Sequence, residues 1–136
     1  MKIERFEEVI AWKKAKELTV YIYSEFRTCK DFSFKNQIER ASVSIMNNIA
    51  EGFERQTNKE LKNFLYISKG SCGEVRSMLN LAYEFKYLNK ERFQVLENMS
   101  IEISKILAGF IKTLWFYFTL YTFNFITYLW IQFFTL

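Results

Sequence analysis

The side chains of this chain that could do chemistry are few, and most of them point away from catalysis. There is no histidine, so the usual general base and the commonest metal ligand are both missing. Ser42, Ser44, Ser68 and Ser71 have no obvious base. A Ser-Lys dyad with Lys69 fails on geometry, because adjacent helix positions diverge by about 100°. Glu51 and Glu54 are surface neighbours three residues apart, an ordinary solvated pair. Cys29 and Cys72 stand far apart in no metal-like spacing. Both read as reduced, with Cys72 a small core residue. KGSCGE, around Gly70 and Gly73, lies inside a helical period rather than after a strand, which argues against a phosphate-cradling loop. What remains is basic: Lys13, Lys14 and Lys16 cluster near the start, either as a solvated helix face or as a patch for phosphate. No enzyme, metal or cofactor is expected from this set.

These residues must be carried on helices. The chain has 136 residues, one domain by size, and is half hydrophobic. It contains no proline and four glycines, where a turn-rich β domain would use more of both. The net charge is +4, too small by itself to indicate a nucleic-acid partner without clustering. The opening MKIERFEEVI lacks the apolar region of a signal peptide. With the reduced thiols, this fits a cytoplasmic protein.

Four periodic segments follow in order. The first helix is expected from Arg5 to Phe26, with Ala11, Ala15, Leu18 and Ile22 as its stripe. TCKDFS, residues 28–33, reads as a loop. The second helix is expected from Phe34 to Arg55, with Phe34, Ile38, Ala41, Ile45, Ile49 and Phe53 on one face. Its flanks are small and polar, which suits close packing on more than one side. Thr57 and Glu60 fit a capping box at the head of a third helix, Asn58–Lys86, whose seam runs Leu61, Phe64, Leu65, Ser68, Cys72, Val75, Leu79 and Ala82. Gly70 and Gly73 are expected to let a neighbouring helix come close. Asn89 is a plausible N-cap for a fourth helix carrying Phe93, Leu96, Ser100, Ile103, Leu107, Phe110 and Leu114. Short connections between four such segments give an antiparallel up-down-up-down four-helix bundle over residues 1–112.

The composition then changes. Residues 113–136 contain no charged side chain and eleven aromatics. This extension is long enough to cross a bilayer, could extend the fourth helix into an oligomer contact, or could be an accidental, non-native extension in which a reading frame runs past the ancestral stop. Its Phe, Tyr and Thr favour strand locally. It is expected to be dispensable for the bundle and to drive membrane association or aggregation when not buried.

RASVSIMNNIAEGFER, with the preceding QIE, resembles the signature segment of the four-helix bundle proteins encoded in intervening sequences of bacterial 23S ribosomal RNA genes. The accessory variability proteins of diversity-generating retroelements are similar. FEEVIAWKKAKEL resembles the family's first helix and FLYISKGSCGEVRSMLNLAYEFKYL its third, so the likeness covers roughly residues 4–112. It implies a homopentamer and, in the retroelement branch, a positive surface that engages reverse transcriptase and RNA. Carried over, that surface would draw on Lys13, Lys14, Lys16, Arg40, Arg55, Lys59, Lys62, Lys69 and Arg76. Arg40 and Arg55 lie in the matching segment; the others are nominated on charge. Ala41, Ser44, Asn47 and Asn48 are the expected subunit contacts. The competing expectation is an interaction protein that binds another protein, since acids interleave with the bases.

Overall fold

The computed structural model describes residues 4–134, with side chains through Leu114. A short 3₁₀ turn, Phe6–Glu8, precedes four helices: α1 (Ile10–Glu25), α2 (Phe32–Phe53), α3 (Asn58–Glu84) and α4 (Lys90–Phe134). Each helix packs on its neighbours in chain order, and α4 closes the ring against α1. The result is the expected up-down-up-down bundle, with no strand among the described residues.

The apolar phases read from the sequence line its core. Ala11, Ala15, Leu18 and Ile22 are fully buried, as are Ile38 and Ile45 of α2, Leu65, Cys72, Val75 and Leu79 of α3, and Leu96, Ile103 and Leu107 of α4. Burying each large aliphatic side chain among these stabilises the fold by about 1.5–3 kcal/mol.

The ends of the helices differ from expectation in instructive ways. The first helix does not start at Arg5. Val9 is extended (φ −65°, ψ 120°) and breaks the segment. The break turns Val9 into the core at 3% exposure, while Phe6 packs edge-on against Trp12 with ring centroids 5.2 Å apart. α2 begins two residues early because Asp31 caps it: the Phe34 N–H donates to Asp31 Oδ1 at 3.0 Å. The other carboxylate oxygen, Oδ2, accepts from the Tyr87 hydroxyl at 3.1 Å, which ties two connections at one end of the bundle.

Thr57 caps α3 as expected, accepting from Glu60 N–H at 3.2 Å. Its hydroxyl in turn donates to the Glu60 carboxylate at 2.7 Å. α3 stops short of Lys86, which is left-handed (φ 59°). Tyr87 N–H bonds Ala82 O at 2.8 Å and Lys86 N–H bonds Tyr83 O at 3.0 Å, a Schellman ending with lysine where glycine is usual. Asn89 caps α4, accepting from Arg92 N–H at 2.9 Å.

α4 continues through Leu114 to Phe134 as helix, so the local strand preference of the aromatic extension does not prevail over propagation of an established helix. Among the described residues no helix is long and apolar enough to cross a membrane. The membrane association expected of residues 113–136 depends on side chains after Leu114 and lies outside the described residues.

Gly70 and Gly73 do not make a close helix contact. A Cβ on Gly70 would meet nothing within 4 Å, and one on Gly73 only the Arg76 guanidinium at 3.9 Å. The close approach is at Gly52, where a Cβ would fall 2.7 Å from Phe64 Cβ and 3.3 Å from Leu61 O. Which glycine touches a neighbour depends on helix phase, and of these three only Gly52 lies on the face where α2 meets α3.

Candidate nucleic-acid interface

α3 turns a second periodic face outward beside its buried seam. Lys59, Lys62, Tyr66, Lys69, Gly73, Arg76 and Asn80 recur at steps of three and four, so they form one stripe. It contains four cations and no carboxylate. The Lys62 ammonium sits 6.0 Å from the centroid of the Tyr66 ring, and Tyr66 is 51% exposed. Lys59 and Lys69 are exposed and Arg76 is half-buried. Among the described residues, none of these three is in an ion pair. Lysine and arginine on a rigid helix offer phosphate a row of point charges and one bidentate fork.

The other nominated bases stand elsewhere. Lys14 is paired with Glu102 of α4 at 2.9 Å. Lys16 lies over the Trp12 ring at 5.6 Å, and Lys13 is exposed on the outer face of α1. Arg55 pairs with Glu51 and lies 5.1 Å from the Phe64 ring centroid. Arg40 is exposed on α2. The nominated cations are thus spread around the bundle, and only the α3 group makes a continuous line.

The small polar flank of α2 is largely used inside the chain. Ala41 is 3% exposed and belongs to the core. Ser44 Oγ and Ser71 Oγ are 2.9 Å apart across the α2–α3 contact. Asn48 donates to Ser44 O at 2.7 Å and Ser44 Oγ at 3.0 Å. Asn47 faces solvent. On α3, Ile67 and Leu81 are exposed at 52% and 43%, in phase with the open Gly70.

Between α1 and α4 lies a groove of about 310 Å³, with Tyr21, Val95, Met99 and Ile103 on its walls. The Lys14–Glu102 pair and the Arg92–Glu25 pair, at 2.7 Å, border it. Cys29 and Cys72 are free thiols. Burial pushes the Cys72 thiol up to about 12, so it stays protonated and inert. Donation to Asp31 raises the Tyr87 phenol above its ordinary value. Among the described residues no group of three or more His, Cys, Asp or Glu is placed to hold a metal ion.

The α3 stripe as a unit, with Tyr66 in it, is not found by following the apolar phase alone. Its signal is a second three-four rhythm in the same segment, offset to the outer face and carried by Lys, Tyr and Arg.

The family model described as 23S rRNA-intervening sequence protein matches residues 7–109. A crystal structure of a protein of unknown function from the S23 ribosomal protein family of Bacteroides thetaiotaomicron superposes with a TM-score of 0.72 at 30% identity. The superposition covers 76% of this chain and 99% of that one. No curated protein matches. The aromatic extension lies beyond the family match.

Proposed function

The chain belongs to the 23S rRNA-intervening sequence protein family, and we propose that it is a non-enzymatic, nucleic-acid-associated bundle that assembles with copies of itself. The observation that carries the nucleic-acid reading is the carboxylate-free stripe of Lys59, Lys62, Lys69 and Arg76 on α3. Side chains of this type bind phosphate whatever the base sequence, and affinity then falls steeply with salt. The family description concerns the ribosomal RNA intervening sequence, so the proposal stands on that branch rather than on the retroelement one.

Self-association is supported by a neighbouring face of α3. Ile67 and Leu81 are exposed there, and Gly70 leaves room for another backbone. The resemblance implies a pentamer, which sedimentation equilibrium should show as a mass near five chains. A stable monomer at micromolar concentration refutes it.

The binding test is a fluorescence-anisotropy titration of labelled oligonucleotides at low and moderate salt. Reversing Lys69 and Arg76 to Glu should weaken binding across unrelated sequences. It should also lower the salt slope by about one for each phosphate that the variant no longer neutralises. Helix content should not change, because Lys69 is exposed and the half-buried Arg76 is in no ion pair among the described residues, and charges so placed contribute little to stability. If the wild-type chain fails to bind at low salt, the α3 surface is a protein-binding face instead, a reading favoured by the same exposed Ile67 and Leu81.

A further inference from the structure

We infer that the α3 stripe selects single-stranded over duplex nucleic acid, with Tyr66 as the residue that stacks on an unpaired base. The inference rests on the phosphate-binding reading above and adds strand specificity to it.

Charge alone would favour the opposite choice. A duplex carries a phosphate per about 1.7 Å of axis and is the denser polyanion. A purely basic helix face would therefore take duplex at least as readily. The α3 stripe is not purely basic. Along it run Lys62, Tyr66, Lys69, Gly73 and Arg76, so the order is cation, ring, cation, gap, cation. From Lys62 to Arg76 the helix rises about 21 Å.

The ring is the odd member. Tyr66 points away from the core seam of Leu65, Ser68 and Cys72, and half of its surface is in water. Its ring partner among the described residues is the Lys62 ammonium, 6.0 Å from the centroid. A large ring held outward between two cations has little to do for the bundle. It has the form of a stacking platform beside a phosphate-binding line, as in proteins that bind single strands without sequence preference. A duplex keeps its base faces inside the stack, so only an unpaired base can meet this ring.

Gly73 suits the same use. A side chain there would meet only the tip of Arg76, at 3.9 Å, so packing does not require glycine. The bare helix between Lys69 and Arg76 lets a sugar-phosphate chain lie against the surface with a cation on either side.

The test uses the full chain and two labelled probes of equal length, a thymidine single strand and a mixed-sequence duplex, at low salt. The single strand should bind more tightly. Tyr66→Ala should reduce single-strand affinity about 5- to 150-fold, the range seen when one stacked base loses its ring, and leave duplex affinity unchanged. Tyr66→Phe should retain wild-type binding. Circular dichroism of both variants should match the parent. Equal or tighter duplex binding overturns the inference, as does an unchanged single-strand affinity in Tyr66→Ala. In either case, failure of the Lys69→Glu, Arg76→Glu variant to bind both probes leaves the phosphate reading standing. If neither probe binds the wild type, both readings fail together.

Discussion

The α2–α3 contact and the α1–α4 contact join the same kind of helix by different chemistry. α2 and α3 meet through small residues. Gly52 lies against Phe64 and Leu61, Ser44 meets Ser71, and Ser68 donates to Ile45 O at 2.8 Å. Backbones this close leave little volume to fill. α1 and α4 are held at their edges by Lys14–Glu102 and Arg92–Glu25, with a groove of about 310 Å³ between them. Charged side chains reach across a gap that small ones could not span. This bundle is intolerant at contacts made by the backbone and its nearest atoms, not at those made by the ends of long side chains.

Single substitutions on the two sides should differ in cost accordingly. The largest effect should come from Gly52→Ala. The added methyl must displace Phe64 Cβ, which is close to the α3 backbone and has nowhere to rotate. Overpacking of this kind costs about 1–3 kcal/mol, and urea denaturation should show it as a lowered midpoint at unchanged slope. A midpoint equal to the parent's would mean that the helices separate freely, and the contrast would fail.

Ser68→Ala comes next. It removes a buried hydroxyl bond but leaves Ile45 O within its own helical ladder, so the destabilisation should be about 1 kcal/mol. A cost above that of Gly52→Ala would show that hydrogen bonding rather than proximity sets the contact. Gly70→Ala should act in the opposite direction. With nothing within 4 Å, the substitution should stabilise the monomeric fold by about 0.5–1 kcal/mol through helix propensity. The same change tests self-association, since a copy seated at Gly70 would be pushed away and the oligomer would weaken in the sedimentation experiment.

The smallest effect belongs to the α1–α4 side. Arg92→Ala breaks the pair with Glu25, but both side chains are partly in water, at 38% and 22% exposure. The cost should be below about 1 kcal/mol and should shrink further in high salt. A cost matching that of Gly52→Ala, insensitive to salt, would refute the description of this contact as peripheral.

Much of the bundle was legible because apolar periodicity is a strong signal. Ala11, Ala15, Leu18 and Ile22 had to share one face, and so had Leu96, Ser100, Ile103 and Leu107. The caps at Thr57 and Asn89 were legible from side chains that can bond backbone N–H groups. Val9 was not, since the helical rhythm around it outweighs the modest preference of one β-branched residue for extended backbone. Its extended conformation is set by burial against helices that lie far off in the sequence. The roles of the glycines were hidden for a related reason. Gly52, Gly70 and Gly73 all sit in helices, and what separates them is the neighbour each one faces. Ser44 and Asn48 were legible as small polar residues suited to a helix contact, yet a single sequence does not say that Ser71 of the same chain is the partner. The α3 stripe was nominated piecemeal by charge. Its continuity, and the place of Tyr66 in it, emerge only once helix phase is followed on the outer face.

Three hydroxyls have a consequence for how the helices keep their places. Thr19 of α1 donates to Ser42 O of α2 at 3.1 Å, Ser68 of α3 to Ile45 O of α2, and Ser100 of α4 to Cys72 O of α3 at 3.0 Å. Each pair of consecutive helices thus has one buried cross-link of this kind. Heptad faces alone are indifferent to sliding, since a helix shifted by one repeat still sets apolar against apolar. A shifted helix here would strand the buried hydroxyl of Ser68 or Ser100, at about 1–3 kcal/mol each, while Thr19, which also donates to Ala15 O of its own helix at 2.9 Å, would lose its cross-helix acceptor alone. The hydroxyls work as index marks that set each helix lengthwise against the one before it, so axial alignment does not depend on stiffness in the short connections at residues 26–31, 54–57 and 85–89.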